Sequence, residues 1–280
     1  SRNVAYGNAA PPCGHYSKAH CGGVVFGDLW AFSAAMMGAS PDGLRLAWAK
    51  SYPFGHPKAS YLFSKGTETQ WTPCPEDVAG LIPVIASGSN AAPDQLARKY
   101  TNHPDTVIPV TRADVHDFDS VYNAHVTAYG SIPATLFPSP GTRLSTFITW
   151  LDKDCLQIMH KTEQPGINYH YAKLSGIQMD VDGIGQLDVA FAYISVVGCL
   201  LHDGGPISLA EVPASGRVFS ARTQEEMHGL VRDVLAPKEM LDPFIMASIE
   251  DAALGRARSD ALAQGARRFE HSGMEIIETA

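Results

Sequence analysis

The sequence predicts an α+β chain built on a mixed β-barrel, with an irregular N-terminal extension and a helical C-terminal part. Three observations carry this expectation. Between residues 81 and 212, short apolar runs bounded by turn residues recur with few helical stretches between them, which favours a mixed or antiparallel barrel over a doubly wound sheet. From residue 220 to 270 the apolar spacing becomes helical. Before residue 80, Gly, Pro and aromatic residues recur without a sustained period. The corresponding division is 1–80 as an extension wrapping the core, 81–215 as the barrel and 216–280 as a helical segment.

Bulk composition agrees with one sizeable core. The 280 residues are 45 % hydrophobic and 18 % charged, an ordinary globular balance. A net charge of −8 opposes a surface that neutralises phosphates, so neither nucleic acid nor an anionic membrane surface is an expected partner. No run of about 18 apolar residues predicts a membrane span. The opening Ser1-Arg2-Asn3-Val4 lacks the apolar core of a signal peptide. Five cysteines, Cys13, Cys21, Cys74, Cys155 and Cys199, are too few and odd in number for a disulfide framework. A cytoplasmic location with reduced thiols is the expectation.

Within the extension, a helix is expected around Gly27 to Met37, and Ser40-Pro41-Asp42-Gly43 reads as a turn. The remainder reads as turns and short strands that wrap the core or contact a second copy in a homo-oligomer. Leu81–Ala86 is a strand running into Ser87-Gly88-Ser89-Asn90. Pro93 then suits the first turn of a helix. Further strands are expected at Thr106–Thr111, Ser120–Thr127, Ala134–Phe137 and Leu144–Leu151, with Pro138-Ser139-Pro140-Gly141 as the turn between the last two. Asp152 is a good N-cap for a helix burying Leu151, Cys155, Leu156 and Met159 and ending near Glu163, before Pro165-Gly166. Strands resume at Asn168–Leu174 and Leu187–Val197. Thr223 to Glu226 is a capping box, and Asp242-Pro243 opens a helix carrying Ile245 through Leu262.

Three of these stretches resemble the γ-glutamylcyclotransferase-like family, which includes the AIG2-like proteins. They are Pro83 to Asn90, Gly130 to Gly141, and Phe147 to Asp152 followed by a helix to Glu163 and then Tyr169. The resemblance covers about residues 83–175. It differs where the family's loop has an aromatic residue before the glycine and this chain has Ser87, and where Ala91 follows Asn90. It implies a barrel of that family's type, a loop of Ser87, Gly88, Ser89 and Asn90 at a strand end that holds substrate, and Glu163 as the single acidic catalytic residue. Tyr169 would donate to a substrate carboxylate; Tyr129, which would line the mouth, and Arg143 are weaker options. The implied reaction is an intramolecular acyl transfer on a small amino-acid amide, with no metal and no organic cofactor. One carboxylate suffices, because it takes a proton from the attacking amine and returns it to the leaving one.

Other chemistries stay open at this stage. Amide hydrolysis or decarboxylation fits the same scaffold, and so does a non-catalytic small-ligand module. Cys13, His15, His20 and Cys21 offer two thiols and two imidazoles for Zn²⁺ in a zinc-dependent hydrolase, though not at a standard finger spacing. No G-x-S-x-G elbow, P-loop or dinucleotide fingerprint is present, and Cys155 falls on an apolar helix face where an inert thiol is expected.

Overall fold

The computed structural model describes residues 40–277. The expected helix at 27–37 and the Cys13, His15, His20 and Cys21 cluster lie outside the described residues. Helix α1 (Pro41–Lys50) replaces the expected turn: the Ser40 hydroxyl accepts from the Gly43 amide at 3.1 Å, Pro41 opens the first turn and Asp42 sits in it. Proline followed by an acid suits a helix start as well as a turn, and Leu44 and Trp48, one helical turn apart, favour the helix.

A hairpin follows, β1 (Tyr61–Ser64) and β2 (Thr67–Gln70). Its two turn residues, Lys65 and Gly66, both have positive φ (53° and 76°), the geometry whose twist matches the flanking strands. Strand β1 pairs with β4 (Val107–Tyr122), so the hairpin extends the same sheet as the barrel.

The barrel is closed, five-stranded and mixed. Strand β3 (Ile82–Ala86) lies between β5 (Ala134–Leu151) and β7 (Gly185–Ser195), antiparallel to the first and parallel to the second. Strand β7 pairs with β6 (Tyr169–Val181), β6 pairs with β4, and β4 closes on β5. Ile85, Val115, Leu136, Ile148, Leu174 and Ala192, drawn from all five barrel strands, pack in one buried cluster. The opposite face, with Val84, Phe147, Leu151 and Tyr193, packs under helices α2 (Pro93–Lys99) and α3 (Lys153–Glu163).

Three strands are longer than the sequence reading made them, one of them β6, which runs past Leu174 to Val181. Strand β4 runs through Arg112–Asp119, where charged residues alternate with buried Ala113 and Val115. Strand β5 runs through Pro138-Ser139-Pro140-Gly141, which is not a hairpin turn. The register passes from His116↔Arg143 to Phe118↔Pro138, so Ser139–Thr142 bulge out opposite the single Asp117. The bulge is tied by Gly141 N donating to Asp117 Oδ1 at 2.7 Å, and it takes Pro140 out of the paired register, where its missing N–H does no harm to the ladder.

Helix α3 starts and stops where expected, with the Asp152 carboxylate accepting from Cys155 N at 2.7 Å and Gln164 left-handed at φ 50°. Short strands β8 (Leu201–His202) and β9 (Gly205–Leu209) form a hairpin. Strand β10 (Ala214–Ser215) pairs with β5, and β11 (Ser220–Arg222) runs parallel to β9. The capping box opens α4 (Gln224–Leu235) as the sequence predicts. The single helix expected from Asp242 to Leu262 is two, α5 (Leu241–Glu250) and α6 (Ala252–Ala263). Asp251 leaves helical geometry between them, and its side chain caps α6 through Ala253 N and Leu254 N. Strand β12 (Met274–Ile276) pairs with β6. Among the described residues no helix is long and apolar enough to cross a membrane.

Candidate active site

A cavity of about 280 Å³ opens at the end of β3. Each wall follows from where an element stops. Strand β3 ends at Ala86, and the chain turns through Ser87 and Gly88 into a short 3₁₀ turn, Ser89–Ala91, before Pro93 starts α2. The left-handed stop at Gln164 leaves Glu163 as the last residue of α3, at the cavity wall. Tyr169 starts β6, and Tyr129 comes from the loop between β4 and β5.

All seven residues singled out from the sequence, Ser87, Gly88, Ser89, Asn90, Tyr129, Glu163 and Tyr169, line this one cavity. Arg143 does not. It lies on β5, half-exposed, in ion pairs with Asp114 (2.9 Å) and Asp180 (3.6 Å). Cys155 is buried core, and burial pushes its thiol up to about 12.

Among the described residues Glu163 is the only carboxylate in the lining, and it has a partner the sequence reading missed. The ammonium of Lys99, at the end of α2, donates to Glu163 Oε1. The Lys99 side chain is 1 % exposed and that of Glu163 13 %. A signal was present in the sequence: Lys99 shares a helical face with buried Gln95 and Leu96. A lysine on an apolar helix face is expected to find a counter-charge.

Phenols surround the carboxylate. Burial pushes Tyr129 up to about 12, with the charge of Glu163 adding to it, and burial first of all holds Tyr52, Tyr169 and Tyr193 well above the ordinary phenol range. All four therefore stay protonated at neutral pH and can donate to a ligand. Burial lowers His125 and His160 below the usual imidazole value, which keeps both neutral at pH 7. His160 lies one turn before Glu163, with Nδ1 2.8 Å from the Tyr193 hydroxyl.

Tyr52 explains why position 88 is glycine. Its hydroxyl oxygen accepts from Ala134 N at 2.8 Å, and a Cβ on Gly88 would stand 2.1 Å from that oxygen and 3.3 Å from the Ala134 Cβ. Gly88 is required by close approach, not by a left-handed φ. Gly88→Ala is expected to cost about 1–3 kcal/mol through overpacking. It is also expected to weaken ligand binding by displacing Tyr52. Urea unfolding and binding titrations of the same preparation check both.

Arg98 was also missed. It is exposed on α2 at the cavity, and its Nε donates to the buried Gln95 Oε1 at 2.9 Å. Among the described residues it forms no ion pair, so the lining carries one cation more than it carries carboxylates. Nor is any group of three or more His, Cys, Asp and Glu side chains placed to hold a metal among those residues. No family model, curated protein or solved structure matches the chain.

Proposed function

We propose that this chain is an enzyme that processes a small amino-acid amide by intramolecular acyl transfer, without an organic cofactor, as the resemblance to the γ-glutamylcyclotransferase-like family implies. One observation carries the reading. Glu163, the single carboxylate of the lining among the described residues, shares a cavity with the loop 87–90, although one ends helix α3 and the other follows strand β3, far apart in the chain.

In this reading the substrate's ammonium gives a proton to Glu163. The freed amine attacks the side-chain carbonyl of the same molecule, and a new C–N bond closes the ring. Holding the substrate folded makes that closure effectively a matter of proximity. The tetrahedral oxyanion is met by phenol protons and by amides of the 87–90 turn. On collapse the original C–N bond breaks and the leaving nitrogen takes the proton held by Glu163. The ring nitrogen gives its second proton to the carboxylate so freed, which passes it on to the departing amine, so that a neutral lactam and an ammonium leave. The excess cation, Arg98, suits a carboxylate on the substrate.

The test is turnover of a panel of γ-glutamyl and related amides with product identification. A cyclic lactam plus one equivalent of free amine is the expected outcome, and an untouched panel contradicts the reading. Within it, Arg98→Gln is expected to raise KM for carboxylated substrates about 10- to 100-fold while kcat stays within about threefold. The matching carboxamides serve as the comparison, and their KM is expected to be unchanged by the substitution.

A further inference from the structure

A lysine side chain as covered as that of Lys99 needs an acceptor for its charge, and the acceptor it has is the proposed base. Its ammonium donates to Glu163 Oε1 and, at 3.2 Å, to Met159 Sδ. A thioether is a weak acceptor, so Glu163 is the one strong partner of Lys99 among the described residues. Burial disfavours the ammonium, and the charge of Glu163 opposes that effect.

The pair joins two elements. Lys99 belongs to α2, which the substrate loop leads into, and Glu163 ends α3. The neighbouring Tyr100 adds a second tie between the same helices by donating to the Cys155 carbonyl at 2.9 Å. The remaining titratable groups whose fields meet at Glu163 are the phenols of Tyr52, Tyr100, Tyr129, Tyr169 and Tyr193 and the neutral imidazole of His160. None of these is a cation. Arg98 forms no ion pair with Glu163, so among the described residues Lys99 alone holds the carboxylate by charge.

We propose that Lys99 is a positioning residue for Glu163: by binding Oε1 it fixes the carboxylate in the cavity and leaves Oε2 as the oxygen that exchanges the proton. The proposal rests on Glu163 being the base. Lys99 stays an ammonium throughout, because the proton moves from the substrate's ammonium to Oε2 and from Oε2 to the leaving amine. Among the described residues no hydrogen bond other than that from Lys99 reaches the Glu163 carboxylate, so nothing else fixes its rotamer by a polar contact. The bond from a second helix supplies that lock.

The test uses the whole chain with Lys99→Met, Lys99→Ala and Lys99→Arg, each first shown folded by circular dichroism. Lys99→Met is expected to lower kcat about 100-fold, with KM within about threefold of wild type. Lys99→Arg, which keeps a cation, is expected to recover at least about tenfold of that loss. Propylammonium added to Lys99→Ala is expected to restore kcat saturably, and propanol, of the same size without the charge, is not. A folded Lys99→Met with wild-type kcat, or equal rescue by propylammonium and propanol, overturns the proposal. If wild type turns over no amide, the reading of Glu163 as base fails by itself. The positioning claim is then decided by a crystal structure of Lys99→Met: a carboxylate swung out of its wild-type place supports it, and an unmoved one overturns it.

Discussion

Glu163→Gln is expected to lower kcat by about 10²- to 10⁴-fold, the range of a lost general acid–base group. The substitution keeps the shape of the side chain and one acceptor for Lys99 but removes the charge. It therefore also acts on stability. With the Lys99 side chain 1 % exposed, the ammonium is left buried without its counter-charge, a change of about 3–5 kcal/mol when a buried pair is broken. The retained amide oxygen places the expectation at the lower end, about 3 kcal/mol. The two effects are separable. Lys99→Met combined with Glu163→Gln removes both charges, and replacing a whole buried pair is often neutral. The double variant is expected to regain most of the stability and none of the activity. Urea unfolding and kcat on the same samples check this, and an active double variant would show that Glu163 is structural.

Asp119→Ala is expected to cost about 3–5 kcal/mol. The Asp119 carboxylate is fully buried on β4. It receives Arg217 Nε and Nη2 at 2.9 Å each, Ser208 Oγ at 2.6 Å and the Ser120 amide at 2.8 Å. Arg217 in turn donates to the Val212 carbonyl at 2.8 Å, so one carboxylate fastens the segment after β9 to the barrel. Alanine leaves a guanidinium that is 15 % exposed and a buried hydroxyl without their acceptor. The effect reaches the cavity, because the next residue, Ser120, donates its hydroxyl to the Ser87 carbonyl. Chemical denaturation is expected to show the full loss. Ser208→Ala, which removes one neutral donor, is expected to cost only about 1 kcal/mol.

The elements that were legible in the sequence are those whose signals are local. Asp152 as an N-cap, Pro93 in a first turn, the box from Thr223 to Glu226 and the stop before Pro165 each involve residues within a few positions of each other. Where long-range pairing decides, the sequence misled. Pro138 to Gly141 has the composition of a turn, yet pairing with β4 on both sides carries the strand through it as a bulge. Asp251, a cap between two helices, is hidden in an unbroken apolar period. The site divides in the same way. The loop at 87–90 and Glu163 stand at element ends, where side chains are free to face a cavity. Lys99, Arg98 and Tyr52 were missed because their roles come from partners far along the chain: Glu163 for Lys99, Ala134 and Gly88 for Tyr52, and for Arg98 the absence of any paired acid in the described lining.

The central claim is that the new bond in the product is made by the substrate's own amine and not by water. Running the reaction of wild type in heavy-oxygen water and weighing the product tests it most directly. The account predicts a cyclic product that carries no oxygen from the solvent, released together with free amine. A product acid with one solvent oxygen in its carboxyl group would contradict it and make this cavity the site of an amide hydrolase.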